Sequence, residues 1–353
     1  MIRGAVVGLG VMGRHHLRVL GSFREAGVAV TAVVDPDQDR RDGALRTLID
    51  CRGYPSFAEA LANEQLDFVC IATPIDLLPS TTVQALEGGL HVLVEKPMAP
   101  SLAAGHELMA MADGTEQVVM VGLVERFNPA VRALKDKLSA GMAGRVVHMQ
   151  ARRLSPFPNR AMTPGVALDL SIHDIDVMRY LTDAEVERVS AETTTVGDHT
   201  PEDLLCATLR FTGGVTGLLE TNWISPVKVR QLSVTCERGM FVVDYLSQDL
   251  TFYEHPTKPT VWDSLRGLRG GGEGDMIRYA IERWEPLRVE WEAFFSAVLD
   301  HATVAATAMD GCAALSVAEA IRRSSSEHVA VSPEEARPAN LGHRSVRLPA
   351  GSS

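Results

Sequence analysis

The chain of 353 residues is short of paired cysteines, of basic charge and of long apolar runs. Its five cysteines, at 51, 70, 206, 236 and 312, form no C-x-x-C pair. That spacing supplies neither a zinc ribbon nor a redox couple, and an odd, scattered set suits a reducing cytoplasm. Lys and Arg number 34 against 45 Asp and Glu, a formal net charge of -11. A protein without a basic stripe is a poor match for a phosphate backbone, so no nucleic-acid partner is expected. No apolar run is long enough to cross a bilayer, and the N-terminus lacks the three regions of a signal peptide, so no membrane partner is expected either. The acidity is also compatible with a cationic substrate. No internal repeat is visible.

What remains is an ordinary globular composition, 46% apolar and 22% charged, long enough for two cores. Residues 1–123 alternate short apolar runs (2–8, 28–34, 67–73, 90–94, 117–122) with helical stretches (11–25, 56–63, 81–87, 102–112). That alternation predicts an α/β domain with a parallel sheet covered on both faces. From about residue 145 the pattern changes to successive strands at 146–154, 186–195, 204–211, 215–222, 228–235 and 239–245. Thr212-Gly213-Gly214 and Glu237-Arg238-Gly239 read as hairpin turns. One helix, 165–181, interrupts the series, and two more follow at 286–299 and 313–323. The expected organisation is a dinucleotide-binding domain over 1–123 and an α+β domain with an open, mainly antiparallel sheet over 124–330. A loop at 263–274 is expected to be mobile, and the tail 331–353 to be disordered.

Three segments carry chemistry. The first is Gly8-Leu9-Gly10-Val11-Met12-Gly13, a G-x-G-x-x-G that follows a strand and opens a helix. Gly8 permits the turn, Gly10 the approach of a pyrophosphate, and Gly13 the packing of helix on strand, with Val11 and Met12 offering free N–H groups. Asp35, ending the second strand, is placed for the ribose hydroxyls, which favours NAD over NADP, although Arg40 and Arg41 are near enough to keep NADP open. Thr73-Pro74 closes another strand on the same edge. The second segment, Glu95-Lys96-Pro97, ends a buried strand there. Lys96 can donate to a substrate hydroxyl and stabilise the developing alkoxide, with Pro97 aiming it and a cis bond compatible with such a turn. The structural alternative is an ion pair with Glu95. The third is Asp169, His173 and Asp176, spaced i, i+4, i+7 on one helix face. His173 can accept the hydroxyl proton, oriented and charge-supported by Asp169, while Asp176 can bind substrate hydroxyls or cap a backbone group. A satisfied buried His–Asp network would show the same spacing. One histidine and two carboxylates are too thin a ligand set for a metal, and none is expected.

On these segments the chain resembles the glucose-fructose oxidoreductase / inositol dehydrogenase / rhizopine-catabolism (Gfo/Idh/MocA) family over about residues 1–325. The resemblance implies Lys96, Asp169 and His173 as the catalytic group, and an open sheet that builds a homodimer or homotetramer. Segments 125–131, 152–158 and 168–176 are similar to nucleotide-sugar 3-dehydrogenases such as those acting on UDP-N-acetylglucosamine. Aminoglycoside-pathway dehydrogenases are near relatives of these. The implied activity is oxidation of a pyranose hydroxyl, at C3, to a 3-keto sugar. The same oxidation on an aminoglycoside intermediate, or of a free polyol such as inositol, stays open. So does a non-catalytic NAD or sugar sensor, which would have no use for a complete Lys–Asp–His set. Leu78 and Leu123 stand where such proteins commonly carry histidines, which leaves the substrate less defined. Arg126 is expected at the substrate, and Arg152, Arg153 and Arg160 either as a diphosphate clamp or as a solvated strand edge. For a polycationic substrate, Asp174, Asp176, Glu202 and Asp203 would take over.

Overall fold

A computed structural model describes residues 1–157, 164–196, 201–255 and 274–333. Six parallel strands form the first sheet: β1 (Ile2–Val7), β2 (Val28–Val34), β3 (Arg52–Tyr54), β4 (Phe68–Ile71), β5 (His91–Glu95) and β6 (Val119–Gly122). Their order is β3-β2-β1-β4-β5-β6. Helices α1 (Val11–Gly21), α2 (Gln38–Leu45), α3 (Phe57–Asn63), α4 (Leu78–Glu87) and α5 (Leu102–Asp113) connect them. The chain leaves β1 toward β2 on one side, while β4 pairs on the other, so a crevice opens at the carboxyl ends of β1 and β4.

β3 and α2 escaped the sequence patterns for a physical reason. β3 is three residues long, and α2 (QDRRDGAL) buries only Ala44, so it has no apolar stripe. It is started by Asp37, whose side chain accepts from the Arg40 N–H.

After α6 (Pro129–Ser139) and β7 (Val146–Leu154), a π-helical turn (Ala167–Ser171) runs into α7 (Ile172–Thr182). Strands β8 (Val186–Thr194), β9 (Leu204–Phe211), β10 (Thr216–Asn222), β11 (Val229–Cys236), β12 (Gly239–Asp244), β13 (Asp249–Glu254) and β14 (Met276–Arg278) follow. They form an open sheet with β7, in the order β14-β13-β12-β11-β7-β10-β9-β8. Every pair is antiparallel except β7 with β10. Both expected hairpin turns are present, the first with Gly213 and Gly214 at φ of 76° and 91°. β13 and β14, at the sheet's edge, were not expected. The expected mobile loop falls almost wholly, and the expected disordered tail largely, outside the described residues.

The last two helices tie the sheets together. α8 (Pro286–Leu299) sets Trp291, Phe294 and Phe295 against Phe68 of β4, with edge-on and tilted rings 5.3–6.0 Å apart. α9 (Ala308–Glu327) packs on α5, α7 and β8. It begins five residues before the apolar pattern does, because Thr307 and Asp310 form a capping box. Among the described residues no helix is long and apolar enough to cross a membrane.

Candidate active site

The glycine loop is built for close approach. Gly8 has φ of 90°, and a Cβ there would lie 2.5 Å from the Ala72 carbonyl oxygen. A Cβ on Gly13 would lie 1.8 Å from the Gly8 carbonyl oxygen, whereas one on Gly10 would meet nothing within 4 Å. Gly10 therefore faces open space at the start of α1, where no side chain caps the helix. The first N–H groups of α1 remain available to an anion. Val11 stands 60% exposed on that rim although it is apolar, while Met12 is half-buried. Asp35 is buried and ties the loop down, accepting from Leu9 N at 2.8 Å and Asp37 N at 3.0 Å. A carboxylate has about four acceptor positions, so two remain for ribose hydroxyls. Arg40 lies 3.5 Å from Asp35 Oδ2, and Arg41 donates to the Asp35 carbonyl. Thr73 Oγ1, at the opposite lip, is buried without a partner, as a group awaiting a ligand would be. These features fit a dinucleotide. Gly13→Ala is expected to weaken NAD binding more than about tenfold and to lower Tm, because the clash is with backbone that cannot move aside; cofactor titration with a melting curve checks both.

The Lys96–Pro97 bond is cis. Lys96 does not pair with Glu95. Its Nζ donates to the Asp169 carbonyl at 2.6 Å and lies 3.0 Å from Asp169 Oδ1. Glu95 is engaged elsewhere, in a relay absent from the sequence reading. Trp291 Nε1 donates to His16 Nδ1 at 3.0 Å, which leaves the His16 proton on Nε2, 2.8 Å from Glu95 Oε1. The other Glu95 oxygen accepts from Lys96 N at 3.1 Å. The end of β5 is thus fastened to α1 and α8. Glu290 beside it is fully buried, and burial, then Glu95, pushes its carboxyl well up, which favours the neutral acid.

The π turn changes the expected helix face. Asp169 lies in the π turn Ala167–Ser171, and its side chain meets Lys96; among the described residues no hydrogen bond joins it to His173. His173 Nδ1 is buried and unpartnered. Burial, then the charges of Lys96, Arg153 and Arg230, holds its imidazole well below the usual value. The expectation that Asp169 supports a charged histidine is corrected here: the surroundings favour the neutral ring.

Three expected substrate contacts are spent on the fold. Asp176 is buried and takes both forks of Arg126, at 2.7 and 2.6 Å, and Arg126 also reaches the Ala305 carbonyl and Asp310. Burial still pushes the Asp176 carboxyl up against that pairing. Arg153 is buried, held by Asp174 at 2.6 and 3.0 Å and by Glu125 at 3.0 Å. Arg152, its neighbour along β7, points to the opposite face and pairs with Glu220 at 2.8 Å. The diphosphate clamp is therefore not assembled from these two, and Arg160 lies outside the described residues. The acidic set is likewise committed: Asp203 is fully buried, and Glu202 accepts from Ala167 N at 3.1 Å. Leu78 and Leu123 are core residues. No metal-binding cluster occurs among the described residues.

A glycine cradle at a parallel-sheet crevice, beside a lysine and a histidine, defines a nicotinamide-dependent oxidoreductase. Residues 2–123 match the NAD-binding Rossmann fold of the GFO_IDH_MocA oxidoreductase family, and residues 131–242 match the GFO/IDH/MocA C-terminal domain. The chain belongs to that family. It is 27% identical over 322 residues to UDP-N-acetylglucosamine 3-dehydrogenase of Acidithiobacillus ferrooxidans, covering 91% of this chain and 96% of that one. It is 28% identical over 341 residues to inositol 2-dehydrogenase 2 of Saccharopolyspora erythraea, covering 94% and 96%. The solved A. ferrooxidans enzyme superposes with a TM-score of 0.80 at 25% identity, over 92% of this chain and 97% of that one. The protein is an NAD-dependent oxidoreductase of the sugar-dehydrogenase type.

Proposed function

We propose that the protein oxidises a pyranose ring hydroxyl, at C3 of a nucleotide sugar, to the 3-keto sugar. The observation that carries this is the Lys96–Asp169 pair at the carboxyl edge of the NAD-binding sheet, with the field of Lys96 reaching His173, whose Nδ1 is buried without a partner and whose neutral ring is favoured. When bound, NAD supplies the hydride acceptor, so a CH–OH group becomes C=O and one proton leaves separately. His173 takes that hydroxyl proton, since its neutral ring is a base near neutral pH. Lys96, anchored by Asp169, donates to the same oxygen and offsets the negative charge that develops on it. Residues 1–123 hold the cofactor and 124–330 the sugar in this reading. The uncovered face of the second sheet is the subunit contact of a homodimer or homotetramer.

The C3 position and the nucleotide come from likeness to the A. ferrooxidans enzyme over nearly the whole chain. The S. erythraea inositol enzyme, with similar identity and coverage, favours a second reading, a free cyclitol. NADH formation with UDP-N-acetylglucosamine, UDP-glucose, myo-inositol and aminoglycosides separates them. Turnover of the nucleotide sugar with a C3 ketone product supports the proposal, and turnover of inositol alone replaces it.

The acid limb of log kcat/KM is expected to lie below pH 6.5. A depressed imidazole keeps its base form through neutrality and loses it only as pH falls through the lowered pKa. A limb centred at or above pH 7 would remove His173 as the base.

A further inference from the structure

Arg230 is an arginine in an unusual position. It lies on β11 in step with the buried Leu232 and Leu250-facing Val243 layer of the second sheet, and directly across from Arg153 of β7. Arg153 in turn sits across from Thr221 of β10. Arg230, Arg153 and Thr221 therefore make one row on the sheet face that meets α7, the helix of His173 and Asp174. The three members of the row differ in what they are given. Arg153 has Asp174 and Glu125. Thr221 Oγ1 is buried with no partner. Arg230 has only two backbone carbonyls, of Leu154 at 2.7 Å and Val229 at 2.9 Å, both on Nη1. Among the described residues no carboxylate pairs with it, and its Nε and Nη2 donors have no acceptor.

A half-buried guanidinium with no carboxylate in direct contact is under-satisfied: Asp174, Glu125 and Asp169 act on Arg230 only through their fields, and an anion arriving from outside would complete it. Burial, then the repulsion of Arg153, outweighs the fields of Asp174, Glu125 and Asp169 and pushes Arg230 down to about 10, so the guanidinium is still charged at neutral pH and its charge is the less well satisfied of the two. Its charge is one of those that lower the His173 imidazole, so the two belong to one polar cluster on the side of α7. We propose that Arg230 is the anion anchor of the substrate pocket, and that its free Nε and Nη2 edge takes a phosphate of the substrate. The inference rests on the nucleotide-sugar reading and deepens it: the diphosphate is held by Arg230, not by Arg152 and Arg153. The free edge of a guanidinium presents two parallel N–H groups, the geometry that a phosphate accepts in bidentate form.

The test uses the full-length enzyme saturated with NAD, so that the dinucleotide site is filled. Binding of inorganic diphosphate and of UDP is measured by calorimetry for the wild type, Arg230→Gln and Arg230→Lys. KM for UDP-N-acetylglucosamine and for N-acetylglucosamine is measured beside it. A charged hydrogen-bonded pair is worth about 1.5–3 kcal/mol, so Arg230→Gln is expected to weaken diphosphate and UDP binding roughly 10- to 100-fold. KM for the nucleotide sugar should rise at least about tenfold more than KM for the uncharged sugar, with Arg230→Lys in between. Equal losses for the charged and uncharged sugars, or unchanged diphosphate binding, would overturn the assignment. If the wild type turns over only uncharged sugars yet binds diphosphate through Arg230, the anchor stands and the nucleotide-sugar reading falls. NAD affinity of each variant reports whether it has folded, and Arg230→Lys keeps the question decidable if Arg230→Gln does not fold.

Discussion

Lys96→Ala is expected to lower kcat about 10³-fold while NAD affinity changes little. Removing one preorganised donor from a developing oxyanion costs about 10²–10³ in rate, and the variant also loses the positive charge that favours a neutral His173. Both effects fall on the chemical step. The cofactor's pyrophosphate is expected on the glycine loop at the far end of the crevice, where Gly8, Gly10 and Gly13 lie, so the dinucleotide has no large stake in the ammonium. Lys96→Arg should recover little, because Nζ is fixed at 2.6 Å from the Asp169 carbonyl and a planar fork cannot take its place. The measurement is steady-state NADH formation beside a fluorescence titration with NAD. A kcat within tenfold of the wild type would show that Lys96 is only an anchor for the π turn.

Much of this site was legible because it is local in sequence. The glycine loop, the strand ending at Lys96 and the helix of His173 each declare themselves within ten residues. What was lost is what depends on direction. Arg152 and Arg153 look like a pair on the page, but neighbours on a strand point to opposite faces, and the register of β7 separates them. The same alternation could have singled out Arg230, an arginine at an inward position of a strand whose next inward residues are Leu232 and Val234. The π turn has no such signature. One extra residue in a helical turn leaves the apolar pattern nearly intact, and the Asp169–Lys96 contact joins residues 73 positions apart. The Trp291–His16–Glu95 relay joins residues 275 and 79 positions apart, and nothing local points to it. β3 and α2 were missed for the opposite reason, since they bury too little to imprint a period.

Arg126→Met is expected to destabilise the fold by about 3–5 kcal/mol, roughly 10 °C in Tm, and to leave KM for the sugar nearly alone. Arg126 sits between the two sheets, in the 3₁₀ turn Val124–Phe127, and joins Asp176 of α7 to Asp310 at the start of α9. Without the guanidinium, Asp176 is a buried carboxylate facing another carboxylate, with only the more distant Arg179 to oppose their charge. Its pKa, raised by burial even with Arg126 present, must rise further. The folded state then binds a proton that the unfolded state, near the ordinary carboxylate value, does not, so stability of the variant increases as pH falls toward 5. The deficit against the wild type should therefore narrow on acidification, which distinguishes an orphaned charge from lost packing. Arg126→Met combined with Asp176→Leu should recover part of the loss at neutral pH, since an apolar pair leaves no charge unpaired at that position. A variant that kept its Tm but raised KM would return Arg126 to the substrate. The contrast with Arg230 is the point of physical interest: the arginine whose donors meet carboxylates holds its neighbours together, and the one whose Nη1 alone is engaged, by two carbonyls, is the one we propose for the ligand.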